Sequence, residues 1–147
     1  MSSGILGTRA TLVADVNLIL QIVLLATLSI GAFQARRGRI NSHHNLMTTA
    51  VVFNAVAIIA VMNPSFFRAL PYSLRNPGAP GPTVMWPHMI LGALAELIGA
   101  YLVIRLKLDP ERASTLGSLK WVMVITLLLW VLALVGGIVV YYVWHVR

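Results

Sequence analysis

The chain has 147 residues, of which 59% are hydrophobic and only 10% are charged. A soluble domain of this size needs far more charge to cover its surface, so the composition excludes that class and indicates an integral membrane protein. The lack of cysteine excludes disulfides, thiolate metal sites and iron–sulfur clusters. The net charge of +7 lies in short segments at the ends of apolar runs, which argues against nucleic-acid binding.

Four apolar segments follow one another along the chain, and each is long enough to cross a bilayer as a helix. None shows the alternation typical of a membrane barrel strand. The sequence therefore predicts an all-α membrane protein, a single domain over 1–147 with four transmembrane helices in an up-down antiparallel bundle. The predicted helices cover about 11–33, 44–62, 87–106 and 118–144.

The connections between these helices differ in composition. The first, QARRGRINSH, is short and basic, and the third, KLDPERASTLGSLK, is polar with a turn or helix start predicted at DPER. The second covers 63–86 and is rich in proline and glycine, which predicts a long, structured but non-helical loop. Its aromatic residues indicate contact with the membrane interface.

The basic residues are distributed unequally between the two sides of the membrane. The first and third connections hold seven of them, and the opposite side holds four. The excess predicts that both basic loops face the cytoplasm and that both termini lie outside. The seven are Arg36, Arg37, Arg39, Arg105, Lys107, Arg112 and Lys120, and the four are Arg9, Arg68, Arg75 and Arg147.

Glu96 lies near the middle of the third predicted helix, where a lone carboxylate is costly. We expect it to be neutral, hydrogen-bonded or near water. Asn54 lies at similar depth in the second helix and is its predicted partner. A neutral glutamic acid that joins helices and a proton-handling or quinone-contacting group are both consistent with this position.

Asp15, His88 and His145 are predicted to converge at the outer end of the bundle, with His88 opening the third helix after Pro87. Two imidazoles and a carboxylate suit a divalent metal or copper, and two imidazoles alone would suit haem b. The alternative for His145, which the sequence favours, is that it is only an interfacial residue.

His43 and His44 stand at the other side, where the sequence holds no further histidine. Adjacent helical residues point about 100° apart, so at most one of the pair readily faces the bundle interior. A haem with two protein ligands there would need its second ligand from another chain or from a non-histidine residue such as Met47. The alternative is that the pair only marks the entry of the second helix, with Ser42 or Asn41 as its N-cap.

Three segments resemble the second, third and last helices of the bacterial family catalogued as domain of unknown function 420. They are SHHNLMTTAVVFNAVAIIAVM, PHMILGALAELIGAYLVIRLKL and LKWVMVITLLLWVLALVGGIVVYYV. The resemblance implies a four-helix protein of the bacterial or archaeal inner (plasma) membrane, linked in some members to assembly of haem-copper terminal oxidases. His43 or His44 and His88 are the positions that carry over, whereas two further family histidines are replaced by VMNPSF and GSLKW.

Three functions follow as hypotheses. The first is an accessory subunit or assembly factor of a respiratory complex, without catalytic activity of its own, which contacts a larger membrane complex or a second copy. The second is a haem b or copper protein that carries electrons or metal, using His88 together with His43, His44 or His145. The third is a small proton-conducting or transport protein centred on Glu96. Known phosphate-loop, zinc-protease and nucleophile motifs are missing from the sequence.

Overall fold

A computed structural model describes residues 4–108 and 117–146. Its helices are α1 (Leu12–Arg36), α2 (Ile40–Ala57), a π-helical segment (Ile58–Met62), α3 (Asn63–Arg75), α4 (Pro80–Leu108) and α5 (Gly117–His145). Four helical stretches are long and apolar enough to cross a membrane: Leu12–Arg36, Ile40–Arg75, Pro80–Leu108 and Leu119–His145. The predicted all-α, four-helix membrane fold is confirmed, and the chain is a multi-pass membrane protein. The predicted turn at DPER lies outside the described residues.

The four long helices form an antiparallel ring. The most extensive contacts lie within the hairpins α1–α2 and α4–α5, and the ring is closed by α1 against α5 and by α2 against α4. This order places α2 and α5 diagonally across the bundle. A tight turn joins α1 to α2, and Gly38 allows it with a φ of 72° that other residues rarely adopt.

The predicted non-helical loop over 63–86 is wrong. α2 continues through the π-helical segment into α3, and only residues 76–79 separate α3 from α4. Pro64 would normally break a helix because its ring meets the carbonyl one turn earlier. The wide π turn directly before it, in which the Asn63 N–H bonds to the Ile58 carbonyl, accommodates that ring.

Two predicted helix starts also move. α2 begins at Ile40 with Arg39 before it, and Arg39 makes no side-chain capping bond, so the predicted N-cap at Ser42 or Asn41 is wrong. α4 begins at Pro80, which places Pro87 inside the helix and His88 more than two turns from its start. As a result, His43 and His44 lie inside the first turns of α2, and His88 lies in the interior of α4.

The core is small and lies at mid-depth. Many large apolar side chains of the described residues are exposed, as expected for helices that face lipid. Gly99 permits close packing there, because a Cβ at this position would lie 3.3 Å from Val51 Cγ2 and 3.6 Å from Trp130 Nε1. The buried cluster comprises Leu24, Leu28, Ala50, Val51, Ala95 and Trp130.

Candidate functional site

A cavity of about 820 Å³ opens between the two helical hairpins at the end that holds the α1–α2 turn. We call this the basic end. All four long helices line the cavity, and its floor is formed by Val51, Gly99 and Trp130. Along α2 the cavity extends from Ile40 to Val51, which corresponds to a depth of about 16 Å at the helical rise. Its volume lies within the range typical of small-molecule sites.

His43 and His44 are both in the wall of this cavity. The His43 Nδ1 lies 2.9 Å from the Gly31 carbonyl oxygen of α1. A carbonyl can only accept a hydrogen bond, so Nδ1 carries the proton and Nε2 keeps its lone pair when the ring is neutral. This is the arrangement that proteins use to orient a metal-binding imidazole.

Cations surround the mouth of the cavity. Arg36 ends α1, Lys107 lies in the last turn of α4, and Lys120 lies near the start of α5. All three are exposed, and no acidic residue is among the described residues that line the cavity. The mouth is therefore suited to the acidic group of a ligand whose body lies deeper.

The deeper walls are apolar and soft. Met47 on α2 and Met123 on α5 contribute thioethers on opposite sides of the ring of helices, and Trp130 contributes an indole at the floor. Thr48 and Thr126 are the polar side chains among these walls, and the Thr126 hydroxyl is already donated to the Val122 carbonyl of its own helix at 2.7 Å. A ligand body in this space would meet mainly hydrocarbon, sulfur and aromatic surface.

A chain of hydrogen bonds crosses three helices at mid-depth. Gln21 Nε2 donates to Asn54 Oδ1 at 3.1 Å, and Asn54 Nδ2 donates to Glu96 Oε2 at 2.8 Å. The predicted pairing of Asn54 with Glu96 is therefore present, and Gln21 extends it to α1. Asn54 is buried, whereas Gln21 and Glu96 are half-buried. These hydrogen bonds lie about one helical turn beyond the cavity floor. Val51 is three residues from Asn54 on α2, and Gly99 is three residues from Glu96 on α4.

A second polar cluster closes the opposite end of the bundle. Asp15 is fully buried and accepts hydrogen bonds from the Tyr141 hydroxyl and from the Leu6 N–H, the latter at 2.9 Å. Since Tyr141 gives its proton to Asp15, the Thr8 hydroxyl donates to the Tyr141 oxygen at 2.8 Å. The His145 ring packs 5.2 Å from the Tyr141 ring. The cluster fastens the segment before α1 to the end of α5.

The predicted metal site of Asp15, His88 and His145 is not assembled. His88 Nδ1 bonds to the Ala133 carbonyl at 2.8 Å, and its ring packs against Gly136 and Gly137. Ala133 precedes His145 by twelve residues on α5, about 18 Å along the axis. Within residues 4–108 and 117–146, no three His, Cys, Asp or Glu side chains are placed to hold a metal ion.

His88 is also too far from His43 and His44 to share a ligand with them. Asn54 and Glu96 mark one level on the antiparallel helices α2 and α4. His43 lies eleven residues from that level towards the basic end, and His88 lies eight residues away in the other direction. The two imidazoles are therefore about 28 Å apart along the bundle. The predicted combination of His88 with His43 or His44 is excluded for a single bound group.

Two features of the cavity were missed by sequence reasoning. In the sequence, the rim cations indicate only the orientation of the chain, and the Gly31 carbonyl gives no signal as a partner of His43. Gln21 was missed as well, although a glutamine inside an apolar run is a detectable signal because lipid gives its amide no partner.

Asn54→Ala should lower the free energy of unfolding by about 1–2 kcal/mol, because it removes two interhelical hydrogen bonds within the membrane. The matched control is Asn41→Ala on the same helix, where the side chain is exposed. We expect the control to change stability by less than about 0.5 kcal/mol. Circular dichroism during titration with a denaturing detergent measures both, and equal effects would contradict a joining role for Asn54.

Comparison with known proteins finds no matching family model, no matching curated protein and no matching solved structure. The resemblance to the domain of unknown function 420 family therefore stays a prediction. The functional interpretation rests on the chemistry of the cavity and of the polar chain beyond its floor.

Proposed function

We propose that this chain is a non-catalytic membrane protein that holds an amphipathic, anionic small molecule in the cavity at its basic end. The carrying observation is the combination of an apolar cavity of about 820 Å³ with a mouth ringed by Arg36, Lys107 and Lys120. An apolar body gains free energy by leaving water for the walls, and an acidic group gains by remaining at the charged mouth. Neither a simple ion nor a neutral hydrocarbon would use both features.

The same proposal gives the chain a place in the cell. The excess of basic residues supports an orientation with the basic end in the cytoplasm and both termini outside. A ligand would then enter from the cytoplasmic side of a bacterial or archaeal inner membrane. The resemblance described above supports an accessory or assembly role for a respiratory complex, in which the chain contacts that complex or a second copy. Holding a small molecule for a larger enzyme is consistent with a small chain of this kind.

Metal-free protoporphyrin IX is a suitable probe because it joins an apolar ring to two carboxylates. We expect it to bind saturably to the chain in lipid nanodiscs, with fluorescence as the measurement and empty nanodiscs as the background. Ala32→Trp, which fills the cavity, should weaken binding at least about tenfold, whereas Ala93→Trp on an exposed face of α4 should leave it unchanged.

The charge of the mouth is tested by a double variant, Arg36→Glu with Lys120→Glu. Both residues are exposed, so solvent screens the ion pair that each would form with an acidic group of the ligand. Each such pair therefore contributes about 0.2–1 kcal/mol. Reversal of both charges should weaken probe binding about tenfold at low salt and less at high salt. The proposal would be contradicted if probe affinity were the same in the wild type, in Ala32→Trp and in the Arg36→Glu, Lys120→Glu double variant.

A second candidate function is proton handling at Glu96. The observation that favours it is the hydrogen-bond chain from Gln21 through Asn54 to Glu96, which places a carboxyl group in a polar environment at mid-depth. The cavity between the hairpins ends one helical turn before Glu96. A continuous proton path across the membrane would therefore have to form between copies of the chain in an oligomer.

Glu96→Gln should abolish proton flux across vesicles that contain the chain, if this second function is correct, because an amide cannot release and regain a proton. Glu96→Asp is the matched control, since it keeps a carboxyl group and should retain part of the flux. A pH-sensitive dye trapped in the vesicles measures both. Flux that is equal in the wild type, Glu96→Gln and empty vesicles would exclude proton conduction.

A further inference from the structure

We infer that the molecule held in the cavity is an iron porphyrin and that His43 is its axial ligand. The inference rests on the proposed function, because it names the ligand class of the same cavity. An apolar cavity with a cationic mouth would also accept a fatty acid or an acidic phospholipid. The histidine in the wall is the feature that distinguishes a metal macrocycle from a lipid.

His43 has the geometry of a metal-binding imidazole. Its Nδ1 is held by the Gly31 carbonyl at 2.9 Å, which leaves Nε2 as the free ring nitrogen. The ring lies three residues inside Ile40, about 4.5 Å below the mouth along α2. A lipid chain gains nothing from such an imidazole, whereas ferric or ferrous iron gains a ligand.

The position of His43 relative to the cations also fits a porphyrin. Porphyrin carboxylates stand at one edge of the ring, so iron bound near the mouth leaves that edge within reach of the flexible side chains of Arg36, Lys107 and Lys120. The rest of the ring would lie deeper, where Met47 and Met123 offer polarisable surface. The carboxylates would then stay in contact with solvent and the macrocycle would stay dry.

Within residues 4–108 and 117–146, His43 is the imidazole at this depth whose ring is oriented by a backbone carbonyl. His44 is adjacent and also lines the cavity, yet its ring centroid lies 5.7 Å from that of His43 with the planes at 50°, and the two point in different directions from α2. Met47 lies one helical turn deeper than His43 on the same helix. We therefore assign the His43 imidazole as the ligand that this part of the chain would offer to iron.

The experiment compares ferric haem with metal-free protoporphyrin IX in nanodiscs, by absorption for haem and by fluorescence for the metal-free ring. His43→Ala should weaken haem binding at least about tenfold and shift its Soret band, yet change the affinity for the metal-free ring less than about twofold. Added imidazole should restore the wild-type spectrum. His88→Ala, which lies about 28 Å away along the bundle, is the matched control that should keep the wild-type spectrum.

The outcomes separate the two proposals. If the wild type binds the metal-free ring but its haem spectrum and affinity are unchanged in His43→Ala, the iron inference is overturned and the proposed function stands. Loss of the spectrum in His44→Ala with retention in His43→Ala would overturn the assignment of the ligand. If neither porphyrin binds the wild type, the iron inference is overturned, and the proposed function stands only if another amphipathic anion, such as a fluorescent fatty acid, binds saturably.

Discussion

The hydrogen-bond chain from Gln21 through Asn54 to Glu96 is the constraint on which the arrangement of this bundle depends. Helices in lipid gain little from burying apolar surface, so polar links and close packing at small residues decide where they meet. These hydrogen bonds join α1, α2 and α4 at mid-depth. The hydrogen bond between Tyr141 and Asp15 joins α5 to α1 at the end of the bundle opposite the basic end. Towards the basic end, the two hairpins are separated by the cavity.

The fold could be predicted from the sequence to the extent that it follows from local hydrophobicity. Four apolar stretches, each long enough to cross a bilayer, determine four antiparallel helices. The helix α3 could not be predicted, because a high density of proline and glycine normally indicates a loop. A helix can continue there only if its backbone leaves room for the proline ring. Here the π turn before Pro64 absorbs it, and that compensation has no sequence signal of its own.

The candidate site divides in the same way. The pairing of Asn54 with Glu96 was predictable, because lipid offers neither side chain a hydrogen-bond partner and the two lie at equal depth. The cavity was not, because it depends on how far two hairpins stand apart, and each of its walls reads as an ordinary lipid-facing or core segment. His43 shows the difference: its neighbours in sequence indicate a helix entry, and only its bond to Gly31 shows that its ring is oriented.

The central claim, a ligand cavity that opens between the hairpins at the basic end, can be tested most directly with single cysteines, since the chain has none. Thr48 lines the cavity, and its neighbour Thr49 is exposed on another face of α2. In nanodiscs, a charged thiol reagent should modify Thr48→Cys and not Thr49→Cys, and metal-free protoporphyrin IX should protect the former. Equal modification of both cysteines, or modification of Thr48→Cys that the porphyrin does not slow, would contradict the account.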